Sequence, residues 1–134
     1  MFSFSKKEHL CGDKNIERLY KDGKSLLVYP LRVVFLVVEN ESVPVRVMVS
    51  VSKKKFKRAV KRNRVKRLTR EAYRLNKNEL IDFSAEKNIQ LHIAFQYIAT
   101  DIENFQKVNE KIQIALRKII QNLKPINESI EKNS

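Results

Sequence analysis

A chain of 134 residues has room for one modest core, and 43% apolar with 32% charged residues is the balance of a folded domain rather than a disordered one. Its 28 Lys and Arg against 15 Asp and Glu leave a formal charge of +13, so the expected partner is a polyanion, a nucleic acid ahead of an anionic membrane. No apolar run approaches the roughly 20 residues that span a bilayer, the first ten residues lack the apolar core of a signal peptide, and a single cysteine, Cys11, excludes an internal disulfide and a Cys-rich zinc module; a cytoplasmic protein is expected.

Residues 1–12 read as a loose, basic arm. His9 lies two residues from Cys11, but with His92 the only other histidine the pair makes no metal site. Asp13 is placed to cap a short helix in which Ile16, Leu19 and Tyr20 fall at i, i+3 and i+4, and Gly23 ends it. Residues 26–38 read as strand, interrupted near Pro30 because proline removes a ladder donor. Both faces of this strand are largely apolar, as in one central to its sheet. After a turn over residues 39–44 a second strand follows. Val45, Val47, Val49 and Val51 alternate there with Arg46, Met48, Ser50 and Ser52, a core face against a small, polar one.

The stretch 50–74 carries most of the charge. It holds twelve of the basic residues, and Glu71 is its one acidic residue. Read as a helix from about residue 58 to 75, it lines up Val65, Leu68, Ala72 and Leu75 as an apolar stripe, with Lys61 and Thr69 at its edges. Opposite stand Arg62, Lys66 and Arg70 in one i, i+4, i+8 row, with Asn63, Arg67 and Arg74 beside it. Ordinary solvated faces mix signs; like charges at i, i+4 repel, a cost that a bound anion removes. Arg grips phosphate through a planar fork, and Asn63 adds a donor and an acceptor.

Residues 77–88 read as a connection with a possible helical continuation, residues 89–99 as a third long strand, and residues 101–123 as an amphipathic packing helix. His92 is expected to be a satisfied sheet-face histidine. A polar tail over residues 124–134 should fray. The expected fold is one α+β domain over residues 13–123. It is an α/β sandwich of order α-β-β-β-α-β-α with helices packed on a central, mostly antiparallel sheet. The chain has only two glycines and no G-x-S-x-G, H-E-x-x-H or Gly-rich phosphate loop, so no catalytic residue and no protein metal ligand is assigned.

The string Ser52-Lys53-Lys54 followed by Ala59-Val60-Lys61-Arg62-Asn63-Arg64-Val65-Lys66-Arg67-Leu68-Thr69-Arg70-Glu71 closely resembles the signature of the bacterial ribonuclease P protein subunit. The resemblance implies a subunit of a ribonucleoprotein endoribonuclease. Its catalytic RNA, using Mg²⁺ bound mainly by the RNA and the substrate, removes the 5′ leader of precursor tRNA, and no protein partner is required. It also implies a left-handed crossover between the parallel strands around the signature helix, against the usual rule. Lys53, Lys54, Arg58, Lys61, Arg62, Asn63, Arg64, Lys66, Arg67, Arg70 and Arg74 would then bind RNA, and Tyr20, Phe35, Ser50 and Ser52 would line the leader cleft. The family has two aromatics on the first helix; here Ile16 takes one of those positions and leaves Tyr20 as the only ring. The alternative is a structural RNA-binding protein of the ribosomal type, with the same electrostatics. A basic-zipper protein would need heptad leucines after residue 75, and a membrane-surface helix would favour Trp, which the chain lacks.

Overall fold

The computed structural model describes residues 8–132, and the side chains of residues 8–124. In chain order the elements are α1 (Asp13–Asp22), β1 (Lys24–Val28), β2 (Leu31–Val38), β3 (Val45–Val51), α2 (Ala59–Asn76), α3 (Asn78–Glu86), β4 (Gln90–Tyr97) and α4 (Phe105–Lys132). The four strands form one sheet in the order β1-β2-β4-β3. β1 pairs antiparallel with β2 and β2 antiparallel with β4, whereas β3 runs parallel to β4 and reaches it through α2 and α3. The expected break at Pro30 is a chain reversal: Tyr29 and Pro30, joined by a cis peptide, turn β1 into β2.

Because strand side chains alternate, the sheet has two different faces. Leu31, Val33 and Phe35 on β2, Val45 and Val47 on β3, and Leu91, Ile93 and Phe95 on β4 belong to the main core. Val65, Ala72 and Tyr73 of α2, Leu80 and Phe83 of α3, and Val108, Ile112 and Ile119 of α4 close over it. Full burial of one such side chain contributes about 1.5–3 kcal/mol, so this layer dominates the stability. On the other face Val34 and Ala94 meet Leu10 and Leu19, with Ile16, Leu36 and Met48 packed around them. Among the described residues, α1 and Leu10 cover this side and leave one end of the sheet open.

Gly23 shows how tightly α1 is joined to the sheet. A Cβ there would lie 2.4 Å from the Leu19 carbonyl oxygen and 2.9 Å from that of Phe35, both backbone atoms that cannot yield. Asp13 turns out to be the first residue of α1 rather than its cap; Gly12 holds the cap position at φ 94°, and no side chain caps the helix. The Asp13 carboxylate still favours the positive end of the helix dipole.

The expectation of a loose arm through residue 12 differs from what residues 8–10 do. The Leu10 amide donates to the Val47 carbonyl at 2.9 Å and His9 forms a parallel bridge with Val47, so this segment covers the outer edge of β3. Glu8 then reaches Lys77 at the α2–α3 junction, 2.8 Å from Nζ, and Lys77 is only 6% exposed. The sequence pattern misses this because an ion pair of residues 8 and 77 has no local signal. α4 likewise continues beyond residue 123, into the segment expected to be tail.

The buried stripe of α2 is rotated from the expected one. Val65, Thr69, Ala72 and Tyr73 are buried, Leu68 is half-buried, and Leu75 is 40% exposed. Tyr73 fills the space that Leu75 was assigned, with its ring 5.8 Å from that of Phe95, and burial pushes its phenol above the ordinary range. Thr69 can be buried because its hydroxyl donates to the Val65 carbonyl at 2.9 Å. Asn76 ties α2 to α4: its amide nitrogen donates to Asn109 Oδ1 at 2.6 Å and its oxygen accepts from Gln113 at 2.9 Å.

Candidate nucleic-acid interface

The rotation of α2 decides which basic side chains are available. Asn63, Arg64, Arg67 and Arg70 are exposed and Lys66 is half-buried at their margin. Asn63, Lys66, Arg67, Arg70, Glu71 and Arg74 line an open depression of about 380 Å³. The hollow is open rather than enclosed, unlike a pocket that buries a small molecule, and cations make up most of its lining. Arg74 is not a free cation: its Nε donates to Glu71 at 3.0 Å, and that hydrogen bond holds the Glu71 carboxyl below the usual range. Val60, 80% exposed among these charges, is a large apolar side chain left uncovered at the start of the helix.

Arg62, expected to bind RNA, also makes contacts within the protein. Its Nη1 donates at 2.8 Å to the carbonyls of both Phe56 and Lys57, so it fastens the link 52–58 to α2. That link carries a buried anchor, Phe56, whose ring lies 6.0 Å from Tyr97. Ser52 shapes the same link, its hydroxyl accepting from the Lys54 amide at 3.2 Å and its carbonyl from the Phe56 amide at 3.0 Å. With the turn fixed, Lys53, Lys54, Arg58 and Lys61 remain at the surface. Lys54, Arg58 and Lys61 line a second basic hollow of about 340 Å³ with Lys55, Lys57 and Asp101.

The open end of the α1-covered face lies next to this link. Strand register sets Arg32 of β2, Gln96 of β4 and Ser50 of β3 side by side across it. Tyr20, 40% exposed on α1, accepts a hydrogen bond from Gln96 Nε2 at 3.2 Å. Tyr20 and Ser50 are thus brought together, and Gln96 joins them. Phe35 is a correction: it is 2% exposed and belongs to the main core on the opposite face, because residues 31, 33 and 35 point one way along β2 and residues 32 and 34 the other. Ile16, in place of an aromatic, packs half-buried with Leu19 and Val34.

Sequence reasoning also missed the cluster around Glu41. His92 is buried with Nε2 3.2 Å from Glu41 Oε2, Arg46 pairs with the same carboxylate, and Arg46 also donates to the His9 carbonyl at 3.4 Å. His92 is a sheet-face histidine as expected, but not a satisfied one: its Nε2 and Glu41 Oε2 are both buried without a hydrogen bond among the described residues. His9 itself is half-buried near Arg70; loss of water and the Arg70 charge lower its pKa below the ordinary histidine value, while Glu8 partly offsets them. Among the described residues no group of three or more His, Cys, Asp or Glu is arranged to hold a metal ion, and no helix is long and apolar enough to cross a membrane.

A cationic helix face beside a half-covered sheet, on an α/β sandwich, defines an α+β nucleic-acid-binding protein. The model of the family described as Ribonuclease P matches residues 4–120. The ribonuclease P protein component of Porphyromonas gingivalis is 45% identical over 123 residues, covering 91% of this chain and 90% of its own. That of Chlorobaculum tepidum is 36% identical over 124 residues, covering 85% and 80%. Among solved structures, the ribonuclease P protein of Thermotoga maritima superposes with a TM-score of 0.64 at 26% identity, covering 83% of this chain and 96% of that one. The chain belongs to the ribonuclease P protein family. Its role is that of the protein subunit of a ribonucleoprotein endoribonuclease whose chemistry is carried by RNA, and the ribosomal-type alternative is not favoured.

Proposed function

We propose that this protein binds the ribonuclease P RNA through the exposed face of α2 and holds the 5′ leader of precursor tRNA on the open sheet face beside Tyr20. One observation carries the reading: the cationic face and the half-covered sheet adjoin through Lys53 and Lys54, so one RNA backbone can pass from one to the other. Asn63, Arg64, Lys66, Arg67 and Arg70 supply the RNA contacts, and Lys61 and Arg58 extend them toward the second hollow. Tyr20 offers a ring on which a base can stack, worth about 1–3 kcal/mol. Ser50, small and beside Gln96, leaves the sheet backbone approachable. The Mg²⁺ ions of the reaction sit on the RNA and substrate, and the cations of this chain offset the phosphate repulsion that otherwise demands more Mg²⁺. The compartment is the one that holds precursor tRNA, the cytoplasm.

The deciding experiment is cleavage of 5′-labelled precursor tRNA at low Mg²⁺ by a bacterial ribonuclease P RNA, with and without this protein. Correct 5′ ends that form only when both are present support the proposal. Tight binding of both RNAs with no cleavage restored would return the protein to a purely structural RNA-binding role.

A further inference from the structure

Along the part of the sheet face that α1 covers, the row across the strands is apolar: Val34, Ala94 and Met48 beneath Leu19 and Ile16. One row further the same strands carry Arg32, Gln96 and Ser50 in register, with Leu27 of β1 beside Arg32. A cleft that only neutralised phosphate would need cations here and no amide. Gln offers a donor and an acceptor side by side, the pattern that the edge of a nucleobase also presents. Gln96 is restrained as well: one amide hydrogen goes to the Tyr20 hydroxyl at 3.2 Å, which leaves Oε1 and the second hydrogen for a ligand. Arg32 is steadied by the bond from its Nε to Ser25 Oγ at 3.1 Å, with the rest of the guanidinium outside that bond.

We infer that Gln96, oriented by Tyr20 and flanked by Arg32, reads the base edge of one nucleotide of the leader and gives the protein a nucleotide preference there. The inference rests on the proposed leader cleft. Tyr20 stacks the base and Gln96 meets its edge, so ring and amide act on the same nucleotide. Any base can stack, so Tyr20 alone contributes affinity without discrimination. The amide makes the difference between bases.

The test uses holoenzyme reconstituted with the RNA subunit and precursor tRNAs carrying each of the four bases at each of the leader positions nearest the cleavage site. The wild type should show a preference of about fivefold or more at one position, the scale of one base-edge contact. Gln96→Ala should compress that preference to within about twofold while leaving mature tRNA binding unchanged. Tyr20→Phe, which keeps the ring and removes the hydroxyl that holds Gln96, should flatten the same position with little loss of affinity. A preference profile identical in wild type and Gln96→Ala, or no preference in the wild type, overturns the inference. A wild type that binds precursor and mature tRNA equally would instead reject the leader cleft itself.

Discussion

Arg62 shows how a residue can sit in the most legible motif of a chain and still act for a reason the motif does not display. Its guanidinium holds two carbonyls of the link before α2, so the protein uses it for shape before any RNA is present. Arg62→Ala should therefore lower stability by roughly 1–2 kcal/mol, the scale of charged hydrogen bonds at a partly exposed site. Urea unfolding of the RNA-free protein would register this as a lower midpoint; an unchanged midpoint would return Arg62 to the phosphate-binding set. Tyr20, Ser50 and Phe35 were all placed in a leader cleft by the family resemblance, not by spacing. Phe35 was misplaced because alternation says which residues share a face of β2 but not which face meets which helix. Gln96 also escaped notice because its meaning comes from Tyr20, 76 positions away.

At the scale of elements the pattern was read well where periodicity is strong. The four strands, α1, α2 and α4 all follow from spacing, and α3 from the possible continuation of the basic helix. The rotation of α2 was not recoverable, because a stripe built on Leu68 and Leu75 is as regular as one built on Thr69 and Tyr73. Only the sheet, with Phe95 beneath, selects the aromatic. That rotation makes a specific prediction for RNA binding. Lys66, Arg67 and Arg70 line one hollow, so replacing all three with Ala should lower the log–log salt slope of RNA binding by about 2–3 in total, roughly 0.7–0.9 for each phosphate contact. Binding measured across a salt series gives the slope directly. A slope equal to the wild type would mean that the phosphates lie elsewhere.

For the whole molecule, what could not be read is how the beginning of the described chain closes on its middle. The Glu8–Lys77 pair and the bridge of His9 to Val47 draw residues 8–10 across β3 and place His9 near Arg70 on the cationic face. This links folding to acidity in a definite direction. The folded protein lowers the His9 pKa, by desolvation first and by the charge of Arg70 second, with Glu8 acting against both; the unfolded chain keeps the ordinary value near 6.5. Below that value the unfolded state binds the proton more readily, so acid favours unfolding. The contribution of neutral His9 is fully present above pH 6.5 and falls as pH drops from there through the folded pKa. His9→Gln removes the titrating group but keeps a polar side chain, so the stability difference between wild type and variant should shift in favour of the variant between pH 7.5 and pH 5.5. Parallel stability curves over that range would show that His9 does not feel the cationic face. RNA bound on α2 brings phosphates to Arg70, which weakens the repulsion that disfavours His9 protonation, so the same comparison in the complex should show a smaller shift.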